Sequence, residues 1–70
     1  MGLTTRQYDA LERAIAEGRR LAVRRPAHEI VFVPERIRAV RGGEVVEGRH
    51  PVTGAPLTVP LDDLDGFEVV

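Results

Sequence analysis

The stretch from Arg19 to His50 constrains the fold most, because arginines and apolar residues alternate along much of it. Ile37, for example, stands between Arg36 and Arg38. Successive side chains of a β-strand point to opposite faces of a sheet, so a period of two predicts strands with one apolar and one charged face. The stretch holds eight arginines: Arg19, Arg20, Arg24, Arg25, Arg36, Arg38, Arg41 and Arg49.

Prolines and glycines divide this stretch and the chain after it into five or six short strands. Pro34 is expected to end one strand and Pro60 to mark an edge strand, because proline cannot donate a hydrogen bond to a neighbouring strand. Gly42-Gly43 predicts a two-residue hairpin turn of the primed type, and Gly48 predicts a β-bulge. The predicted strands cover residues 20–24, 29–33, 36–41, 44–47, 57–61 and 67–70, with a single helical turn over 62–66.

The residues before Arg19 carry a helical pattern instead. Thr4 followed by Gln7 three positions later fits a helix capping box, and Gly18 stands where a helix C-cap is expected. We therefore predict a helix over residues 5–17 that packs on the sheet through its apolar stripe. Residues three to four positions apart form that stripe: Tyr8, Leu11, Ala14 and Ile15.

This order of elements predicts an α+β fold in a single domain, residues 1–70, with the helix at 5–17 and the strands over 20–70. Many short antiparallel strands with tight turns favour a strongly bent sheet or an SH3-like (Sm-like) small barrel.

The chain has no cysteine, which excludes disulfides and makes a reducing cytoplasm the natural compartment. We expect neither a signal peptide nor a membrane span, because no apolar run approaches the roughly 20 residues that a spanning helix needs.

Over residues 10–70 the chain resembles the WYL domain of bacterial transcription regulators. The strings that carry the resemblance are ALERAIAEGRRLAVRR, VFVPERI, RGGEVVEGRHPVTG and LTVPLDDLDGFEVV. The resemblance implies a five-stranded Sm-like barrel, and convergence on such a barrel would give the same pattern. The matching scaffold residues are Gly18, Leu21, Val23, Pro34, Ile37, Gly43, Gly48, Gly54, Leu61 and Leu64.

The chain departs from that family at its signature positions. Glu44-Val45-Val46 stands where the family has Trp-Tyr-Leu, and Asp63 stands where the closing segment of the family has arginine. The ligand-sensing function of the family depends on the residues that are missing here. That function is therefore not carried over.

Charge is distributed unevenly along the chain, although its formal net charge is only −1. Residues 19–50 hold eight arginines against four glutamates, which gives +4, whereas residues 51–70 hold four acids and no base. Arginines on alternate positions of paired strands would form one basic face that contacts the phosphates of RNA or DNA. This leading hypothesis predicts a regulatory or other nucleic-acid-associated protein whose candidate binding residues are Arg20, Arg24, Arg25, Arg36, Arg38, Arg41 and Arg49.

A second interpretation gives the arginines a structural role. They would form ion pairs across neighbouring strands, with partners among Glu29, Glu35, Glu44 and Glu47. The protein would then be an assembly module that forms homo-oligomers through edge strands such as 57–61 or 67–70, covering apolar surface that a small core leaves exposed.

The sequence predicts no enzyme activity, no catalytic residues, no cofactor and no metal site. His28 and His50 are the only histidines and both are expected in exposed loops, whereas a metal site needs three or four converging ligands. Asp62, Asp63 and Asp65 are expected to form a solvated acidic helical turn. No threonine belongs to a recognisable nucleophile–base motif.

Overall fold

One helix precedes a five-stranded antiparallel sheet in the computed structural model, which describes residues 3–24, 27–64 and 66–70. The predicted α+β class is confirmed. The elements in chain order are α1 (Thr5–Glu17), β1 (Leu21–Arg24), β2 (Glu29–Val40), β3 (Gly43–Arg49), β4 (Pro56–Pro60), a 3₁₀ turn (Leu61–Leu64) and β5 (Phe67–Val69).

Helix α1 has the bounds and the caps that the sequence predicts. The Thr4 hydroxyl accepts a hydrogen bond from the Gln7 backbone nitrogen at 3.1 Å, and the Gln7 side-chain oxygen accepts one from the Thr4 nitrogen at 2.9 Å. Gly18 ends the helix in the left-handed conformation, with φ of 66°, which glycine adopts without strain. Leu11 and Ala14 are buried in the core, so the predicted apolar stripe does face the sheet.

The strands lie in the order β4-β3-β2-β1-β5, and β2 joins the two halves of the sheet. Residues 29–32 of β2 pair with β1, and residues 33–40 pair with β3. Strands β4 and β5 are the two edges, so the sheet is not closed. The sequence predicted a strongly bent sheet or a small barrel, and the sheet of the structure is open, so a closed barrel is not observed.

Pro34 does not end a strand, contrary to the prediction, and β2 is one continuous strand of 12 residues. Pro34 pairs with Gly48, and the register then shifts before Arg36 pairs with Glu47. In an antiparallel ladder only alternate residues exchange hydrogen bonds with a given neighbour, so a proline is tolerated at a position in between. The extra residue at the shift is Glu35 in β2, which means that the bulge predicted at Gly48 in β3 was wrongly placed.

Gly48 has a different role, because it permits a close approach between β3 and β2. A Cβ atom at this position would lie 2.8 Å from Cδ2 of Phe32 and 3.0 Å from the carbonyl carbon of Val33, and it would overlap the Val33 carbonyl oxygen. Only glycine leaves room for this contact. The bend of β2 and the burial of Phe32 thus depend on Gly48.

The turn between β2 and β3 is shifted by one residue from the prediction. Val40 pairs with Gly43, so the two loop residues are Arg41 and Gly42. Gly42 has a φ of 90°, whereas Arg41 does not have a positive φ. A primed turn needs a positive φ at its first central residue, so the turn is not of the predicted type.

The closing elements follow the prediction within one or two residues. Strand β4 is an edge, as Pro60 indicated. The helical turn predicted over 62–66 corresponds to the 3₁₀ turn Leu61–Leu64, and Asp65 of the predicted turn lies outside the described residues. The described residues contain no helix that is long and apolar enough to cross a bilayer.

Side chains from every element form one core. Its buried members are Leu11, Ala14, Leu21, Val23, Phe32, Val46, Val59, Leu61 and Leu64, and Phe67 packs against them.

Candidate functional site

The bulge at Glu35 decides which side chains of β2 face solvent. Beyond it, Ile37 pairs with buried Val46 on the core side of the sheet. Arg36 and Arg38 occupy the alternate positions, and both are exposed. They therefore lie together on the solvent side, which we call the outer face of the β2–β3 hairpin.

Glu47 of β3 is shared by these two arginines. Its Oε1 lies 2.8 Å from Nε of Arg36 and its Oε2 lies 2.8 Å from Nε of Arg38. The Glu47 side chain is only 24% exposed, against 68% for Arg36 and 57% for Arg38. One partly buried carboxylate thus fixes two exposed guanidinium groups.

These arginines keep hydrogen-bonding capacity beyond their ion pair with Glu47. A guanidinium group carries five N–H donors, and the ion pair of each arginine with Glu47 is made through Nε. Neither arginine forms an ion pair with a second carboxylate among the described residues. Two guanidinium groups against one carboxylate also leave a local charge of +1, so the cluster can accept an anion.

The other candidate arginines are placed differently. Arg49 contacts Glu35 at 2.6 Å, and Arg24 forms an ion pair with Glu68 across β1 and β5. Arg20 and Arg41 are exposed and form no ion pair within the described part of the chain. Arg25 lies outside the described residues. The structure therefore brings together Arg36, Arg38 and Arg49 on the outer face of β2 and β3, with Arg41 in the turn at the end of the same hairpin.

The predicted pairing of arginines with glutamates holds for two of the four glutamates. Glu35 and Glu47 are ion-paired, whereas Glu44 receives a hydrogen bond from Tyr8. Glu29 has no ion pair in the portion that the structure describes. Glu68 was missed as a partner, since the pairing of β5 with β1 joins segments more than 40 residues apart and has no local sequence signal.

A second feature lies on the core side of the hairpin, where α1 crosses it. The Tyr8 hydroxyl donates a long hydrogen bond of 3.4 Å to Oε2 of Glu44. A cleft of about 520 Å³ opens between Tyr8, the hairpin turn and the 3₁₀ turn. A second cleft of about 370 Å³ lies between α1 and β2. Tyr8 and Glu44 line both.

The surroundings of Tyr8 are negative. Partial removal from water raises the pKa of the Tyr8 hydroxyl above its ordinary value of 10.0, and the charges of Glu44 and Glu12 raise it further. Neither glutamate forms an ion pair in the described ranges. Glu12 and Glu44 differ in this from Glu35 and Glu47, which are ion-paired.

The two histidines lie in exposed segments, as expected. His50 organises the turn after β3, because its Nδ1 accepts hydrogen bonds from the backbone nitrogens of Val52 and Thr53 at 3.2 and 3.3 Å. No group of three or more potential metal ligands occurs among the residues that the structure covers. The outer face of the hairpin is thus the candidate site.

The chain was compared with known proteins in three ways. It matches no protein-family model, no curated protein and no solved structure.

Proposed function

We propose that the protein binds the phosphate backbone of RNA or DNA through the outer face of the β2–β3 hairpin, with Arg36, Arg38 and Arg41 as contacts. The observation that supports this proposal most is the sharing of Glu47 by Arg36 and Arg38 through their Nε atoms. Glu47 orders both guanidinium groups before a ligand arrives, while their terminal nitrogens stay available to phosphate oxygens.

Charge supports the same assignment. Arg36 and Arg38 share the single carboxylate of Glu47, Glu44 is engaged by Tyr8 on the other side, and Arg41 forms no ion pair in the described part of the chain. The surplus of positive charge is local to this hairpin, which explains how a chain of net charge −1 can attract a polyanion.

The mode of binding follows from the placement of the aromatic residues. Phe32 is buried, and Tyr8 and Phe67 are partly buried against the core, so none is available as an exposed platform for stacking bases. Binding through arginines alone reads the backbone and not the sequence. We therefore expect affinity that depends strongly on salt and weakly on base sequence.

The test is a salt titration of binding to a mixed pool of short RNA and DNA. Changing Arg36, Arg38 and Arg41 together to glutamine should lower the affinity and flatten the dependence of its logarithm on that of the salt concentration. Each lost contact should reduce the slope by about 0.9 on a duplex and about 0.7 on a single strand. Fluorescence anisotropy would measure both quantities.

A charge-matched control separates a local site from general attraction. Changing Arg6, Arg13 and Arg19 to glutamine removes three charges from α1 and the residue just beyond its cap, away from the hairpin. This variant should retain most of the affinity. Equal losses in the two triple variants, or no loss in the hairpin variant, would contradict the proposed site.

We also propose that the scaffold is related to the Sm-like barrel, as its resemblance to the WYL domain implies. Support comes from the leading helix, the long bent β2 that belongs to both halves of the sheet, and the glycine at the bend. β-bulges and close glycine contacts are how small sheets curve strongly. An experimental structure showing β2 split into two strands at Pro34 would refute the relationship.

A second candidate function is homo-oligomeric assembly through β5. Its backbone groups on the side away from β1 face no strand in the described sheet. Val69 and Val70 beside them are 39% and 64% exposed. An unpaired edge next to exposed apolar side chains is a common route to association between chains.

A further inference from the structure

The second half of β2 has one edge that no strand covers. Strand β1 pairs with residues 29–32 only, while β3 pairs with residues 33–40 on the opposite side of β2. Residues 36–40 of β2 therefore present a free edge on the side where β1 would otherwise continue. Helix α1 passes close to this edge and leaves a cleft of about 370 Å³ between them.

The prolines of β4 show which backbone groups point toward the free edge. Val45 of β3 lies between Pro60 of β4 and Arg38 of β2. Pro60 has no N–H to donate, so the N–H and C=O groups of Val45 point to Arg38 and form a hydrogen-bonded pair with it. By alternation, Arg36 and Val40 also face β3. Ile37 and Ala39 must then direct their N–H and C=O groups away from β3, toward the free edge, where Ile37 also lines the cleft.

The walls of the cleft show what chemistry it would accept. Tyr8 and Ile15 of α1 and Ile37 of β2 supply apolar surface. Glu12 and Glu44 also line the cleft and form no ion pair in the described part of the molecule. Arg36 and Glu35 are present too, but each is already engaged by an oppositely charged partner. The lining of the cleft thus combines apolar surface with three glutamates against one arginine, a net charge of −2.

We propose that this cleft binds an extended basic peptide, which adds to the sheet as a strand along Ile37 and Ala39. Such a strand gains main-chain hydrogen bonds from the free edge. On its core-facing side, arginine or lysine side chains would run along Tyr8 and Ile15 and reach the carboxylates of Glu12 and Glu44. Arg36 borders both this cleft and the phosphate-binding face, but the proposal rests on the free edge and on Glu12 and Glu44 and does not depend on phosphate binding.

The probe is a fluorescein-labelled pentapeptide of alternating threonine and arginine, so that both arginines fall on one side of the strand. Anisotropy should show saturable binding, and NMR should show shifts of the Ile37 and Ala39 amides together with slower exchange of their protons. The same peptide methylated on every backbone nitrogen keeps its charge but cannot form a ladder, and it should bind at least about tenfold more weakly.

Variants of the protein test the charge attraction and the strand addition separately. Glu12→Gln and Glu44→Gln should each weaken binding about two- to fivefold, the range expected for exposed ion pairs. Glu29→Gln, at the far end of β2, should leave it unchanged. Ala39→Pro removes a donor of the free edge and should abolish the amide shift at Ile37. If Ala39→Pro does not fold, the methylated peptide tests the same hydrogen bonds.

Three outcomes would overturn the proposal. The first is absence of binding by the unmodified peptide at millimolar concentration. The second is equal affinity of the methylated peptide, which would mean charge attraction without strand addition. The third is binding that leaves the Ile37 and Ala39 amides unshifted, which would place the peptide elsewhere on the protein.

Discussion

At the scale of single residues, two positions of β3 have roles that depend on their exact neighbours. Glu47 contacts both arginines of the outer face, and Gly48 lies against Phe32 and the Val33 backbone. Glu47 orients the two arginines through its ion pairs, and Gly48, which has no side chain, allows β3 to approach β2 closely. They are adjacent in sequence and point to opposite faces of the sheet.

Gly48→Ala should destabilise the protein by roughly 3 kcal/mol, because the added methyl group must displace the Val33 backbone or the ring of Phe32. That is a large part of the roughly 4–10 kcal/mol expected for a chain of this length. Urea denaturation would measure the change. Gly66→Ala is the matched control, since its Cβ would meet only Cβ of Arg24 at an ordinary 3.8 Å. Equal effects of the two substitutions would contradict the close-approach argument.

At the scale of elements, α1 and β2 differ in how far their sequences determine them. The caps and the apolar stripe of α1 lie within the helix and next to it, so its bounds were predictable from local chemistry. The course of β2 depends on its neighbours. Pro34 predicted a break, but a continuous strand forms because Gly48 lies opposite it and a bulge at Glu35 restores the inward direction of Ile37.

Hydrogen exchange should show an alternating pattern in the second half of β2. The amides of Arg36, Arg38 and Val40 face β3 and should exchange slowly, whereas those of Ile37 and Ala39 face the uncovered edge and should exchange fast. Residue-resolved exchange monitored by NMR would measure all five. Uniform protection would mean that α1 or another segment covers the edge, and it would also remove the basis for strand addition.

The candidate site was predictable in its residues but not in its arrangement. Alternation placed Arg36 and Arg38 on one face, and that is observed. Their shared contact with Glu47 depends on the hairpin register, which follows from a turn at Arg41-Gly42. The predicted turn at Gly42-Gly43 would have placed Glu47 opposite Arg38 instead. A shift of one residue in a turn changes every cross-strand neighbour.

At the scale of the whole molecule, the sheet separates two kinds of surface. The outer face of the β2–β3 hairpin carries ordered arginines with a surplus of positive charge. The side under α1 carries an uncovered strand edge together with Glu12 and Glu44, which form no ion pair among the described residues. A chain of 70 residues with net charge −1 thus presents two surfaces of different charge, for which we propose different partners.

We expect the protein alone to be a monomer of 7.7 kDa. The free edge of β4 offers the N–H of Thr58 between Pro56 and Pro60, which cannot donate, and β5 is only three residues long. Gel filtration with light scattering at high micromolar concentration would measure the mass. A defined oligomer that Val69→Lys dissociates would instead favour assembly through β5, and the arginines would then be structural.

The sequence by itself determined the helix with its caps, the α+β class, the edge position of β4 and the outward alternation of Arg36 and Arg38. These features depend on interactions between residues close in the chain, or on the missing N–H of proline. Only the tertiary structure decided the continuity of β2, the shared contact of Glu47, the pairing of Arg24 with Glu68 and the free edge beside α1. Each of these depends on which distant segments become neighbours, and backbone hydrogen bonds and packing fix that choice for the chain as a whole.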